Sequence, residues 1–530
     1  MNPELPRLTA EDVRTMLLER REIALLDARE EDPFAQEHPL FAVQIARSRL
    51  ELDAPWRLPR RDVPVVVYDD GEGLAEPAAR WLAAAGWTAV SLLDGGLDGW
   101  RRSGGELFRD VNVPSKSFGE LVEHDAGTPS LPAEEVKALL DAGTDMVVLD
   151  VRRWDEYRTM SIPTGTSVPG AELVLRARDL APDPATRIVV NCAGRTRSLI
   201  GAQSLVNAGI PNPVAALRNG TIGWLLAGFE LDHGQQRRFG PVGAAHLDGA
   251  RTVAQDLAAR TGALRIDEVQ LARWAADARR TLYRWDVRTP EEYEAGHLPG
   301  FGSAPGGQLV QETDVFAAVR GARIVLSDDD SVRAPMTAHW LAQMGWEVAW
   351  LDGADRSRFS ETGPWRAPAI EPPAVDSVSP DELAALLAEG LAMVVDVGTS
   401  AAFVKGHVPG AWWALRSDGV RALSALPTTG RVVFTCADGS ASHWMAAEWA
   451  GRLPAPVAFL AGGTAAWRAS GRALEAGELR LLSPRIDRYR RPYEGTDAPR
   501  SAMQAYLDWE FGLVAQLGRD GTHGFRVLRA

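Results

Sequence analysis

The sequence predicts an α/β fold built from four tandem copies of one unit, each a mainly parallel sheet flanked by helices. Three observations predict it. A chain of 530 residues is too long for one ordinary core. Short apolar strands alternate with amphipathic helices, the pattern of a parallel sheet covered on both faces, with a site at the carboxyl ends of its strands. One order of segments also recurs four times.

The first unit starts with a capped amphipathic helix at Leu8–Leu18, for which Thr9 is the expected N-cap. Ala24–Arg29 reads as a strand. Val63–Tyr68 is a second strand and leads through Asp69 into a helix that stops near Gly86. A third strand at Ala89–Leu93 and the run Asp94–Trp100 complete the unit.

The second unit repeats this order with Leu131–Leu140, Met146–Arg152, a loop at Cys192 and Ala216–Trp224. The third has Ile266–Ala272, Trp285–Arg288, Ile324–Asp328 and Val348–Gly353. The fourth has Val378–Leu387, Val394–Asp396, Val432–Cys436 and Phe459–Trp467. The expected domains are residues 1–110, 128–232, 262–362 and 377–475, joined by ordered connectors near 109–127, 233–261 and 363–376. A basic, extended stretch, Ser483–Tyr493, and a helix from Ser501 to about Leu517 form a tail, 476–530, expected to clasp the domains.

Bulk composition narrows the function. The net charge of −14 argues against nucleic-acid binding. An anionic substrate would meet an unfavourable overall field, but screening over about 8–10 Å lets a local cluster of Arg195, Arg197 and Arg218 dominate. No apolar run reaches the roughly 18 residues of a membrane span, and Met1–Arg20 lacks a secretory pattern. The expectation is a cytoplasmic protein with no membrane partner. Two cysteines exclude a disulfide framework or a cysteine-rich zinc site.

One of those cysteines carries the strongest signal. Val189–Asn191 is an apolar strand ending at Cys192, followed by Ala193, Gly194, Arg195, Thr196, Arg197 and Ser198 and then a helix stopping at Gly209. Backbone N–H groups, a helix N-terminus and two arginines all favour a thiolate or a bound anion there. Lowering a thiol pKa from about 8.5 to about 6.5 takes roughly 2.7 kcal/mol. A helix terminus supplies up to about 2 kcal/mol and a charge-assisted hydrogen bond about 1.5–3 kcal/mol, so a lowered thiol pKa is expected.

This stretch resembles the active-site loop of the rhodanese (thiosulfate sulfurtransferase) family. Cys192 to Arg197 has the six-residue length of that family's loop, one shorter than in related phosphatases that share the fold. The resemblance covers about four fifths of the chain and implies a five-stranded sheet per unit. It further implies sulfur transfer from thiosulfate to cyanide or a thiol through a Cys192 persulfide. In that reading Arg197, with Arg195, orients the sulfonate, residues 193–198 cradle the sulfur, and no metal or organic cofactor is needed. The implied partners are a small sulfur donor such as thiosulfate and a small or protein thiol acceptor. Alternatives are mercaptopyruvate or another persulfide as donor, a non-catalytic scaffold, and, third, phosphatase or arsenate reductase activity.

Aligning the other loops on their helix ends puts Asp69 and Asp328 at the cysteine position of units one and three. An aspartate cannot carry a persulfide, so both are expected to be inactive. Unit four keeps Cys436, followed by Ala437, Asp438, Gly439 and Ser440, but has Ala441 where unit two has Arg197. It is either a secondary sulfur site, faintly similar to a mercaptopyruvate-type loop, or a degenerate unit with a buried thiol. Asp150-Val-Arg152 with Glu156 recurs as Asp286-Val-Arg288 with Glu292, and unit four loses both partners as Gly398 and Ala402. That joint loss points to one ion pair tying strand to helix. Trp100, Trp224 and Trp467 are expected in cores, and His297 and His407 in structural turns.

Overall fold

In the computed structural model, residues 4–354, 356–424, 426, 430–495 and 497–529 are described. Residues 1–3 of the first expected unit and 530 of the tail lie outside them. Four five-stranded sheets follow one another along the chain, and every paired strand within them is parallel. In the second sheet the order is Ser130–Leu131, Val214–Leu217, Arg187–Asn191, Met146–Asp150, Thr166–Ser167. The other three sheets have the same order. Because the central strands are covered on both faces, they read as continuous apolar runs, as in Val65–Tyr68, all four of which are buried.

Local signals fix the helix starts. Thr9 closes a capping box with Asp12, Thr289 with Glu292 and Ser379 with Glu382. Trp100, Trp224 and Trp467 are buried, and each indole N–H donates to a carbonyl six residues on, at Glu106, Glu230 and Ala473. His297 and His407 stack on Tyr293 and Phe403 at 3.7 Å and bond the carbonyls of those residues.

Two connectors carry helices that the sequence reading missed. Val113–Ala126 packs on Thr196–Asn207, and Ala244–Thr261 packs on Arg333–Gln343. Thr196 reaches Gly119 so closely that a Cβ there would lie 2.9 Å from its methyl. Buried polar contacts join the units: Arg416 to Glu51 between four and one, Arg333 to Glu172 between three and two, and Tyr283 to the Arg57 carbonyl between three and one.

The tail touches every unit. Leu481 bridges Trp413, the Ile486 carbonyl accepts from Asp32, and Arg500 donates to the Leu225 carbonyl. Phe525 packs against Phe41 and Phe118, and Leu528 N–H donates to Gln343. The single expected helix is two, Arg500–Phe511 and Leu513–Asp520, with Gly512 between them. No described helix is long and apolar enough to cross a membrane.

Candidate active site

Cys192 follows the Arg187–Asn191 strand, which pairs on both sides within the sheet, and the Thr196–Asn207 helix begins four residues later. The position is the switch point at the carboxyl end of a doubly wound sheet. Cys192 is 2% exposed, and its Sγ donates to Ser198 Oγ at 3.4 Å. The loop carbonyls are held from outside: Thr221 N–H donates to Cys192 O at 3.0 Å and Ile222 N–H to Ala193 O at 3.1 Å. Gly220 makes this approach feasible. Its φ is +53°, and a Cβ would stand 2.3 Å from Cys192 O.

The sister loops reveal what such a loop holds. Asp328 accepts from the N–H groups of Ser331, Val332 and Ala334 at 2.8–3.1 Å. Asp69 accepts from Gly71, Leu74 and Ala75 at 2.5–3.2 Å. In both, a carboxyl group at the cysteine position fills a nest of backbone donors, the geometry of an anion cradle, although burial and the neighbouring Asp330 raise the Asp328 carboxyl well above its ordinary value. These acidic loops satisfy themselves.

Arg197 donates to both oxygens of Glu156, at 2.8 and 2.9 Å. Burial alone would raise the Glu156 carboxyl, but Arg197, with Arg152 and Arg153, holds it down to about 2. The expected Arg152–Glu156 pair is not formed. Arg152 instead binds Asp150 through two nitrogens at 2.9 and 2.7 Å and the Met160 carbonyl. Unit three repeats both pairings, with Arg288 on Asp286 and Arg333 on Glu292.

Two further expectations need correction. Arg195 does not face the cradle with its guanidinium: it is 3% exposed and donates to Glu120 at 2.7 and 2.9 Å, to Glu123 and to Asn219, with Phe511 over its plane. Its side chain locks the loop to the Val113–Ala126 helix, leaving only its backbone N–H for an anion. Arg218 is exposed and bonds Ser130. The Cys192 thiol is not lowered either. Burial pushes it up, against the lowering by Arg197 and Ser198, because the loop is roofed by the tail. A Cβ at Gly194 would lie 3.2 Å from Tyr506 Cε1 and 3.4 Å from Glu510 Oε2.

Beside Arg197 opens a cavity of about 380 Å³. Arg152, Arg153 and Glu156 line it from unit two, Gln308 and Glu312 from unit three, and Arg488, Arg491 and Tyr493 from the tail. Sequence reasoning missed the tail's part in this site. The available signal was its arginine-rich run at 485–491.

A family model described as the rhodanese-like domain matches residues 9–103, 132–227, 267–354 and 379–470, well over half of the chain. The chain belongs to the rhodanese family. A crystal structure of thiosulfate sulfurtransferase from Pseudomonas aeruginosa is 62% identical, with a TM-score of 0.98 over 99% of this chain and 100% of that one. SseB of Mycobacterium tuberculosis, provisionally named a thiosulfate sulfurtransferase, is 53% identical over 133 residues in two strains. That match takes in 23% of this chain and 44% of SseB, so the chain spans less than half the length of these curated relatives.

The fourth rhodanese domain differs in charge. Cys436 is 3% exposed, and its Sγ lies 3.6 Å from Asp438 Oδ1, which also accepts from the Ser440 N–H and hydroxyl. Burial pushes its thiol up, Ser442 opposes, and Asp438 and Asp396 add to the rise. Gly398 in place of the arginine leaves Asp396 buried, with only the Gly398 N–H to favour its charge, and its carboxyl is pushed up to about 7. Ala437 and Gly439 close the loop over Gly463, whose own Cβ would meet Cys436 O at 2.2 Å. Cys436 opens on a cavity of about 640 Å³ shared with domain one through Glu30 and Arg49, and Arg488 of the tail lines this cavity and the one at Arg197.

Proposed function

We propose that this rhodanese is a sulfurtransferase that moves sulfane sulfur from thiosulfate to a thiol or cyanide through a persulfide on Cys192. The observation that carries the reading is the Cys192 loop itself, matched to sister loops in which the side chain of Asp69 or Asp328 accepts from the same nest of N–H donors. A nest whose N–H groups converge on one acceptor suits a thiolate and then a persulfide anion.

The Cys192 thiolate attacks the outer sulfur of thiosulfate. A new S–S bond forms, the bond between the two donor sulfurs breaks, and its electron pair leaves on sulfite. An acceptor thiolate or cyanide then takes the outer sulfur and returns Cys192 as thiolate. The N–H groups of residues 193–198 hold the anion, and Arg197 faces the donor from a cavity rich in arginines. Both cysteines are free thiols, and a cytoplasmic setting would keep them so.

Peptide mass spectrometry after thiosulfate treatment without reductant tests this. Gain of one sulfur at Cys192, lost in Cys192→Ser, is expected. A folded protein that gains none at Cys192 overturns thiosulfate as the donor. Gain at Cys436 in addition would make domain four a second working site.

A further inference from the structure

The C-terminal helix Arg500–Phe511 lies outside all four rhodanese domains, yet it places a carboxyl group against the Cys192 loop. Glu510 is fully buried. Tyr506 donates to its Oε1 at 2.7 Å, whereas its Oε2 has no hydrogen-bond partner and points at Gly194. A buried carboxyl oxygen left unpartnered is costly and calls for a role. Glu510 is also close enough for its charge to weigh against ionisation of Cys192.

We propose that Glu510 is a positioning residue of the Cys192 site: neutral when the loop carries a thiolate or persulfide, its carboxyl O–H adds a side-chain donor to the backbone cradle. This rests on Cys192 being the sulfur-carrying residue. Below about pH 8 both groups hold their protons while Cys192 is a thiol, so its proton leaves to solvent before attack, and the neutral carboxyl is then the donor to the charge on sulfur. Sulfur transfer then moves no further proton at this site, since the electron pair of the broken S–S bond leaves on sulfite.

The surroundings agree. Glu120 and Lys116 of the Val113–Ala126 helix, Arg195 of the loop and Tyr506 face Glu510. Lys116 is held by Asp110, and Arg195 by Glu120 and Glu123, so both cations are already neutralised. Burial, then Glu120, pushes the Glu510 carboxyl up to about 8. The tail thus acts on the site's proton state as well as clasping the domains.

The test is the rate of Cys192 alkylation by iodoacetamide against pH, read by peptide mass spectrometry in the full chain, with sulfur loading from thiosulfate measured in parallel. Glu510→Gln is expected to alkylate about tenfold faster than wild type at pH 9, where Glu510 would be charged, and equally at pH 6.5. Wild-type loading should rise less steeply above about pH 8 than that of Glu510→Gln. Glu510→Ala, which removes the donor, should load about tenfold more slowly than wild type below about pH 8, where Glu510 is neutral, and lose that deficit above it. Tyr506→Phe should move that change of slope to higher pH, because its hydroxyl favours the carboxylate form. That variant carries the test if Glu510→Gln does not fold. Identical alkylation curves in wild type and the folded variants would overturn the assignment. Alkylation as expected with no sulfur gained would instead reject thiosulfate as donor and leave Glu510's role standing.

Discussion

Separating Glu156 from Arg197 should expose how strongly the arginine is held beside the Cys192 loop. The Glu156 carboxyl is about 2 instead of its ordinary 4.5, and its side chain is 23% exposed. About 1.36 kcal/mol per pKa unit makes the preference for the charged pair about 3 kcal/mol. The sign follows from a depressed folded-state value: this stabilisation is present above about pH 4.5 and is lost as pH falls toward 2. Global unfolding of a four-domain chain is not two-state, so amide exchange of the Thr196–Asn207 helix gives the local reading. A double-mutant cycle of Glu156→Ala, Arg197→Ala and both together should return a coupling of about 3 kcal/mol, seen as exchange in the double variant about 150-fold slower than the sum of the single variants predicts. In the same variants, thiosulfate kcat/KM should fall about 100-fold in Arg197→Ala through loss of charge-assisted bonds and exposure of Glu156, and partly recover in the double variant. A coupling below about 1 kcal/mol, the scale of an exposed surface pair, would refute the reasoning.

Asp328→Cys should gain sulfur from thiosulfate, because the third loop already holds Arg333 on Glu292; Asp69→Cys, with Leu74 at the arginine position, should not, and peptide mass spectrometry distinguishes them. Gly220→Ala should abolish sulfur loading at Cys192, since the added methyl drives into Cys192 O and the backbone would have to shift. Asp396→Asn should stabilise domain four by about 4 kcal/mol above pH 7 and have no effect below about pH 4. The raised carboxyl destabilises the fold increasingly as pH climbs from 3.8 through about 7, and exchange of the Arg431–Thr435 strand reads the difference.

Much of this was legible along the chain. The four-unit parallel architecture follows from local patterns: apolar runs of strand length, capping residues three positions apart, and one order of segments repeated. The replacement of cysteine by Asp69 and Asp328 and the placing of Cys192 and Cys436 at strand ends needed only alignment of the repeats. The Glu156–Arg197 pair left a trace too, although the joint loss in unit four, as Gly398 and Ala402, points as readily to Arg152 as the partner. Units two and three carry both a glutamate and a loop arginine, whereas units one and four carry neither, with Pro33 and Leu74, or Ala402 and Ala441, at those positions. Arg152 by contrast has a counterpart in unit one as Arg29, which binds Asp27.

Only the tertiary structure decided the rest. Local sequence counts the donors a loop offers but not the water that packing removes, so it gave Cys192 a lowered thiol where burial raises it. Nor can it say which way a side chain points: Arg195 turns to Glu120 and Glu123, some 70 positions earlier, on a helix whose existence the connector's composition did not announce. Glu510 reaches Gly194 from more than 300 residues away. The sequence by itself therefore determined the repeated fold and where its sulfur-bearing positions fall, because those depend on short-range periodicity. Tertiary packing alone decided the electrostatics of the site, because burial and the pairing of distant charges exist only once the tail has closed over the domains.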